Sequence, residues 1–151
     1  MLFRSYKNHA SLESAFTKGV LKNADNIESG LINFYNYFFS LPEYPQRTKK
    51  HIASPQKKSS CKRLNMFLRW MVRKDNRDVD FGLWNSIKMS QLVIPLDVHV
   101  ARVAHRFQLI RSTKSDWQTA LELTQALKDI DPKDPCKYDF ALFGLGVLEK
   151  Y

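Results

Sequence analysis

Helix-start chemistry recurs along this chain, and nothing in it alternates as a strand would. Asp25-Asn26-Ile27-Glu28 has the form of a capping box, with Asp25 accepting from the first free amides and Glu28 reaching back. The helix it opens should run to about Ser40 and stop before Pro42. Ser59 and Ser60 precede Leu64, Phe67, Leu68 and Met71, which fall at i, i+3, i+4 and i+7, the spacing of one buried stripe. Asp97 stands before Val100, Val103, Ala104 and Phe107, and Asp116 before Trp117, Ala120, Leu121, Thr124 and Leu127. Asp134 is followed by Pro135, which at the first helical position gives up no bond that was available, and then by Phe140, Phe143, Val147 and Leu148. An earlier helix over about 11–21, with Leu12, Ala15, Phe16 and Val20 on one side, and a short one capped by Asp78 or Asp80 and holding Leu83, Trp84 and Ile87, complete the set. Leu92-Val93-Ile94 should be extended, because Pro95 disfavours helical geometry at the residue before it. The fold class expected is all-α, in one domain over 1–151: N-terminal helices in 1–42, a basic loop in 43–60, and a helical core in 61–151.

The loop is where the charge sits. Between Tyr44 and Lys74 there are ten Lys or Arg residues and no Asp or Glu, while the rest of the chain carries fourteen basic against fifteen acidic residues. A local excess of this kind attracts phosphate backbones and releases their condensed counterions, so nucleic acid is the partner expected. A solvated loop or a contact for an acidic protein are the alternatives. On a helical wheel Lys62, Arg69 and Arg73 cluster with Met66 opposite the apolar stripe, which predicts that they face away from the core.

Other classes find less support. An apolar fraction of 44% argues against disorder, and the densest apolar stretch, 31–41, is interrupted by Asn33, Asn36 and Ser40 and falls well short of a bilayer span, so no membrane association is expected. Two cysteines, Cys61 and Cys136, make neither a disulfide framework nor a zinc knuckle, and point to a reducing, cytoplasmic setting. His9, His51, His99 and His105 lack metal-ligand spacing, and Gly144 and Gly146 form no dinucleotide fingerprint. The chain calls for no metal and no cofactor.

Lys62 and Asp97 are the residues on which chemistry would turn. Asp97 reads first as an N-cap, and Lys62 as a solvated charge at a helix start, a slightly unfavourable place because the helix dipole is positive there. Lys62-Arg63-Leu64-Asn65-Met66-Phe67-Leu68-Arg69 resembles the lysine-bearing helix of the helix-hairpin-helix DNA glycosylases that remove 8-oxoguanine. Leu96-Asp97-Val98-His99-Val100-Ala101-Arg102-Val103 is similar to the Asp-x-His-Val-x-Arg-Val signature that follows in the same superfamily. From Lys62 through Asp134-Pro135-Cys136-Lys137-Tyr138-Asp139-Phe140-Ala141-Leu142-Phe143-Gly144-Leu145-Gly146 the chain also resembles an uncharacterised bacterial family that would be a remote branch of it.

The resemblance implies a compact orthogonal helical fold and a glycosylase, or glycosylase and lyase, acting on damaged duplex DNA. The damaged base would be flipped out, Lys62 would attack C1′ of its sugar, and Asp97 would take part in deprotonating the amine. Lys57, Lys58, Ser59, Ser60, Arg63, Arg69 and Arg73 would bind DNA, and His99 and Arg102 would orient Asp97 or touch phosphate. The chain departs from the family in two respects. The residues before Lys62, Pro55-Gln56-Lys57-Lys58-Ser59-Ser60-Cys61, lack the Gly-x-Gly hairpin that holds a DNA phosphate, and the sizeable helical half that normally precedes this region is short or missing. A non-catalytic nucleic-acid-binding module and a protein-docking domain are the competing readings.

Overall fold

The computed structural model describes residues 11–18, 20, 22–40, 43–75 and 79–148, and these are helical with no strand among them. Six α-helices follow in order: α1 Glu13–Thr17, α2 Glu28–Phe38, α3 Lys62–Val72, α4 Val98–Arg106, α5 Trp117–Ile130 and α6 Asp139–Leu148. Four 3₁₀ turns punctuate them, at Gln46–Lys50, Pro55–Lys57, Met89–Gln91 and Pro135–Tyr138. The all-α expectation holds. No described helix is long and apolar enough to cross a membrane.

The N-terminal helices close on an aromatic cluster. Phe16 of α1 stacks on Phe34 of α2 with ring centroids 4.2 Å apart, and Trp84 lies 5.6 Å from Phe16 and 5.5 Å from Phe67 of α3. Gly30 makes the approach of α1 and α2 possible, since a Cβ there would lie 2.6 Å from the Phe16 carbonyl oxygen. Capping differs from the expected box by one residue: Asn26 Oδ1, not Asp25, accepts from the Glu28 amide, and the helix ends at Phe38 rather than Ser40. The first helix is also shorter than the span expected over 11–21.

The expected helix around Leu83, Trp84 and Ile87 does not form. Asp78 lies outside the described residues, and Asp80 is buried in an ion-pair network rather than capping anything. The segment instead lies along the end of α3, where the Phe81 and Gly82 amides donate to the Trp70 carbonyl and the Trp84 amide to that of Met71. Gly82 takes a positive φ of 58° in that turn. Trp84 and Ile87 are buried all the same, while Leu83 is exposed.

In the C-terminal half Asp97 and Asp116 cap their helices as expected, whereas Asp134, expected to start the last helix, makes no cap bond and opens the 3₁₀ turn Pro135–Tyr138 before α6 begins at Asp139. Asp97 Oδ1 accepts from the His99 and Val100 amides, and Asp116 from that of Thr119. The extended run Leu92–Pro95 is buried between elements, and Thr124 of α5 holds it by accepting from the Ile94 amide while donating to the Ala120 carbonyl. Helix α6 lies so close to α4 that a Cβ on Gly146 would come within 3.0 Å of the His99 backbone carbonyl oxygen. On α6, Phe140, Phe143, Val147 and Leu148 are exposed, and Leu142 and Gly146 face inward. Phe107, in helical spacing with Val100, Val103 and Ala104, is exposed as well.

Candidate active site

Two hydroxyls meet at the head of α4, one from the start of α3 and one from the start of α5. Ser60 Oγ, buried, donates to the Leu96 carbonyl at 3.0 Å, and Ser115 Oγ donates to the same oxygen at 3.2 Å. Asn65 returns from the first turn of α3 to donate to the Ser60 carbonyl, and the Trp117 amide donates to that of Lys58. Ser60, two residues before Lys62, is thus tied to Leu96, the residue before Asp97, and the two side chains have little freedom to miss each other.

They meet. Lys62 Nζ lies 2.6 Å from Asp97 Oδ2, with the lysine side chain 39% exposed and the carboxylate 14% exposed. Burial alone would raise the Asp97 carboxyl, but the Lys62 hydrogen bond and the amides of Val100 and His99 outweigh it and hold the group below its ordinary value of 3.8. One oxygen of Asp97 is thus fixed by the helix it caps, and the other is aimed at the amine. Phe143 of α6 flanks the pair, with Lys62 Nζ 5.6 Å from its ring centroid.

The turn before Lys62 carries two non-glycine residues in the left-handed region, Lys58 at φ 58° and Cys61 at φ 53°. Ser59 and Ser60, expected as N-caps of α3, serve otherwise. Cys61 occupies the cap position without capping the helix, its Sγ donating instead to the Ser59 carbonyl, and Ser59 Oγ accepts from the Cys61 amide. Cys61 itself is fully buried, which pushes its thiol up to about 11, so it is a packed side chain and no reactive thiolate.

Arg69 and Arg73 do not face solvent. Arg69 Nη1 donates to Asp139 Oδ2 at 2.5 Å and its Nη2 lies 3.3 Å from Asp80 Oδ2, while its guanidinium also lies over the Phe140 ring. Arg73 reaches Asp80 at 2.7 Å, Asp134 at 2.9 Å and also Asp75. With Arg69 1% exposed and Arg73 8% exposed, neither guanidinium is within reach of a phosphate backbone. A helical wheel does not anticipate this, because two of the four carboxylates that draw the arginines inward, Asp139 and Asp134, stand 70 and 61 positions away. Ser60 is withdrawn for the same reason, its hydroxyl being spent on Leu96.

Lys58 and Arg63 are exposed, and Lys57 is exposed with Nζ 2.6 Å from the Tyr35 hydroxyl. Ser59 is half-buried. His99 packs under Gly146, and its Nδ1 is buried without a hydrogen-bond partner among the described residues. Arg102 donates to the Gly146 carbonyl at 2.8 Å, which makes it a clamp between α4 and α6. Three residues with a part in this geometry escaped the sequence reading: Ser115, Asp139 and Phe143 as a surface ring. None of them carries a local signal, since each acts on residues at least 19 positions away.

A family model described as a protein of unknown function, DUF2400, matches residues 1–148. The chain belongs to that family. No curated protein and no solved structure matches it. The match runs through the basic segment, both helix heads and α6, so the Lys62–Asp97 contact lies well inside the family's extent. Among the described residues no three His, Cys, Asp or Glu side chains are grouped as a metal site.

Proposed function

We propose that this protein is a DNA glycosylase-like enzyme, with an accompanying lyase step, in which Lys62 is the nucleophile and Asp97 its partner. The observation that carries the proposal is the 2.6 Å contact between Lys62 Nζ and Asp97 Oδ2 on a partly exposed face, made by residues 35 positions apart and held by the Ser60 and Ser115 bonds to Leu96. The left-handed residues Lys58 and Cys61 add support, because they stand in the turn where helix-hairpin-helix glycosylases use glycine, a residue suited to that backbone region.

The chemistry follows from the pair. Asp97 accepts the proton that Lys62 loses in becoming a nucleophile. The Nζ lone pair bonds to C1′ as the C1′–N bond breaks and its electrons leave with the base. Opening of the sugar ring at O4′ then gives an iminium linkage, and loss of a C2′ proton with departure of the 3′ phosphate oxygen cuts the strand. The departing base takes up the proton that Asp97 had accepted, and Asp97, an anion again, stands beside the positive charge. The target base must leave the stack before any of this, at a cost of a few kcal/mol that is least for a damaged or mispaired base.

Borohydride trapping tests the proposal. The protein is incubated with duplexes holding 8-oxoguanine or an abasic site and then reduced, and a covalent protein–DNA adduct should appear that Lys62→Ala abolishes. A protein that binds duplex DNA but yields no adduct with either substrate is a binding module, and the enzymatic proposal falls.

A further inference from the structure

The basic segment folds back on itself before it reaches Lys62. Between the turn Gln46–Lys50 and the turn Pro55–Lys57 lies a groove of about 470 Å3, lined by Arg47, Lys49, Lys50, Ser54 and Lys57 among others, with no carboxylate in its wall. Arg47, Lys50 and Lys57 are exposed and make no ion pair among the described residues, in contrast to the buried Arg69 and Arg73. Lys49 and Lys57 are steadied by rings: Lys49 Nζ lies 5.3 Å from the Tyr44 centroid and Lys57 Nζ 4.6 Å from that of Tyr35. Such contacts reduce the freedom the cations would lose on taking a ligand.

Ser54 supplies an independent sign. It is 1% exposed, lines the groove, and its Oγ has no hydrogen-bond partner among the described residues. A buried hydroxyl left unsatisfied costs free energy, and rotation of the Ser54 hydroxyl toward an anion oxygen in the groove would remove that cost.

We propose that this groove is a second phosphate-binding site, separate from the Lys62–Asp97 pair, that takes a backbone phosphodiester of nucleic acid between Arg47, Lys50 and the Ser54 hydroxyl. It rests on the nucleic-acid part of the reading above and not on the amine chemistry. Its position in the chain, immediately before the turn that leads to Lys62, makes it a register device. A strand held there enters the reactive face from one side, and the exposed Lys58 and Arg63 continue the same track.

The test is the salt dependence of binding to an undamaged fluorescent duplex, measured by anisotropy for the wild type, Arg47→Gln/Lys50→Gln and Ser54→Ala. Loss of two phosphate contacts should flatten the log K against log salt slope by about 1.8, so between 50 and 200 mM salt the wild type should lose about twelvefold more affinity than the double variant. Ser54→Ala should weaken binding roughly twofold to tenfold with the slope unchanged, because a hydroxyl displaces no counterion, and its melting temperature should not fall. Thermal melts confirm that each variant folds. An unchanged slope in the double variant overturns the proposal even if borohydride trapping succeeds. Equal competition by polyglutamate of matched charge overturns it in favour of an acidic protein partner. A failed trapping experiment with the slopes as expected removes the enzyme reading and leaves this site standing.

Discussion

Replacing Asp97 by asparagine separates the two jobs its carboxylate performs. Oδ1 accepts from the His99 and Val100 amides at 2.9 Å each, and Oδ2 meets Lys62 at 2.6 Å. Asparagine is as good an N-cap as aspartate, so Asp97→Asn keeps the first function and loses the second, whereas Asp97→Ala loses both. The cap contributes about 1 kcal/mol and up to about 2. The ion pair, with its lysine 39% exposed, is discounted for solvent to about 0.5–1 kcal/mol. Asp97→Asn should therefore cost about 0.5–1 kcal/mol at neutral pH and Asp97→Ala about 1.5–3 kcal/mol, as read by urea denaturation.

The pH dependence has a definite sign. The Asp97 carboxyl is held below 3.8 in the fold, so its ionised form contributes stability that is complete above that value and is lost as pH falls through the lower, folded value. The lead of the wild type over Asp97→Asn should shrink toward zero in acid, while its lead over Asp97→Ala should retain the cap contribution. The adduct-forming rate of Asp97→Asn should drop by about a hundredfold to ten-thousandfold, the usual range for losing a positioned base. Equal destabilisation by the two variants at neutral pH would refute the division of labour, and so would a wild-type lead over Asp97→Asn that persists well below pH 3.8.

Removing both hydroxyls in Ser60→Ala/Ser115→Ala strips the Leu96 carbonyl of two donors and should cost about 1–3 kcal/mol together with a loss of adduct yield; either single change should be milder because the other hydroxyl remains. If the double variant traps as well as the wild type, these bonds do not set the geometry of the pair. Arg69→Met leaves Asp139 and Asp80 buried with one cation fewer and should cost about 3–5 kcal/mol by chemical denaturation, a loss too large for a surface phosphate contact; a cost under about 1 kcal/mol would contradict the burial. In α6, Gly146→Ala should lose about 1–3 kcal/mol against the His99 backbone. Gly144→Ala, whose Cβ meets nothing within 4 Å, should gain about 0.5–1 kcal/mol, and melting curves in which both move the same way would reject this account of the helix.

What could be seen in the residues was what acts locally. Asp97 and Asp116 declare their helices because a cap bonds amides two or three positions on, and Pro135 marks the turn into α6 by the same proximity. The Asp25 box failed by one residue because Asn26 offers an equally good acceptor closer to the first turn. Which face of α6 packs inward is not legible, because the helix is apolar on both sides and a 3.6-residue period does not distinguish its core face from the other. The segment around Trp84 fooled the periodicity for a different reason: its buried side chains are placed by hydrogen bonds to the end of α3, not by a helix of their own. Contact between Lys62 and Asp97 was suggested only by resemblance, since the bonds that bring them together cross 36 positions in one case and 19 in the other.

The ten cations between Tyr44 and Lys74 look uniform in sequence and divide into two populations in space. Arg69 and Arg73 point into the protein, where Asp80 is shared between them and Asp139 and Asp134 come from the start of α6 and the turn before it. Guanidinium suits that position because it stays charged when buried and offers several donors in a fixed plane to several carboxylates. Lys62, seven residues and about two turns before Arg69, has one carboxylate partner and keeps over a third of its side chain exposed. An amine suits that position if it must give up a proton and form a bond to something arriving from solvent, which a guanidinium in a closed network cannot do. Helix α3 therefore couples an anchored end to an accessible one: the buried arginines fix where the helix lies relative to α6, and that placement sets Phe143 over the lysine and leaves the amine partly exposed.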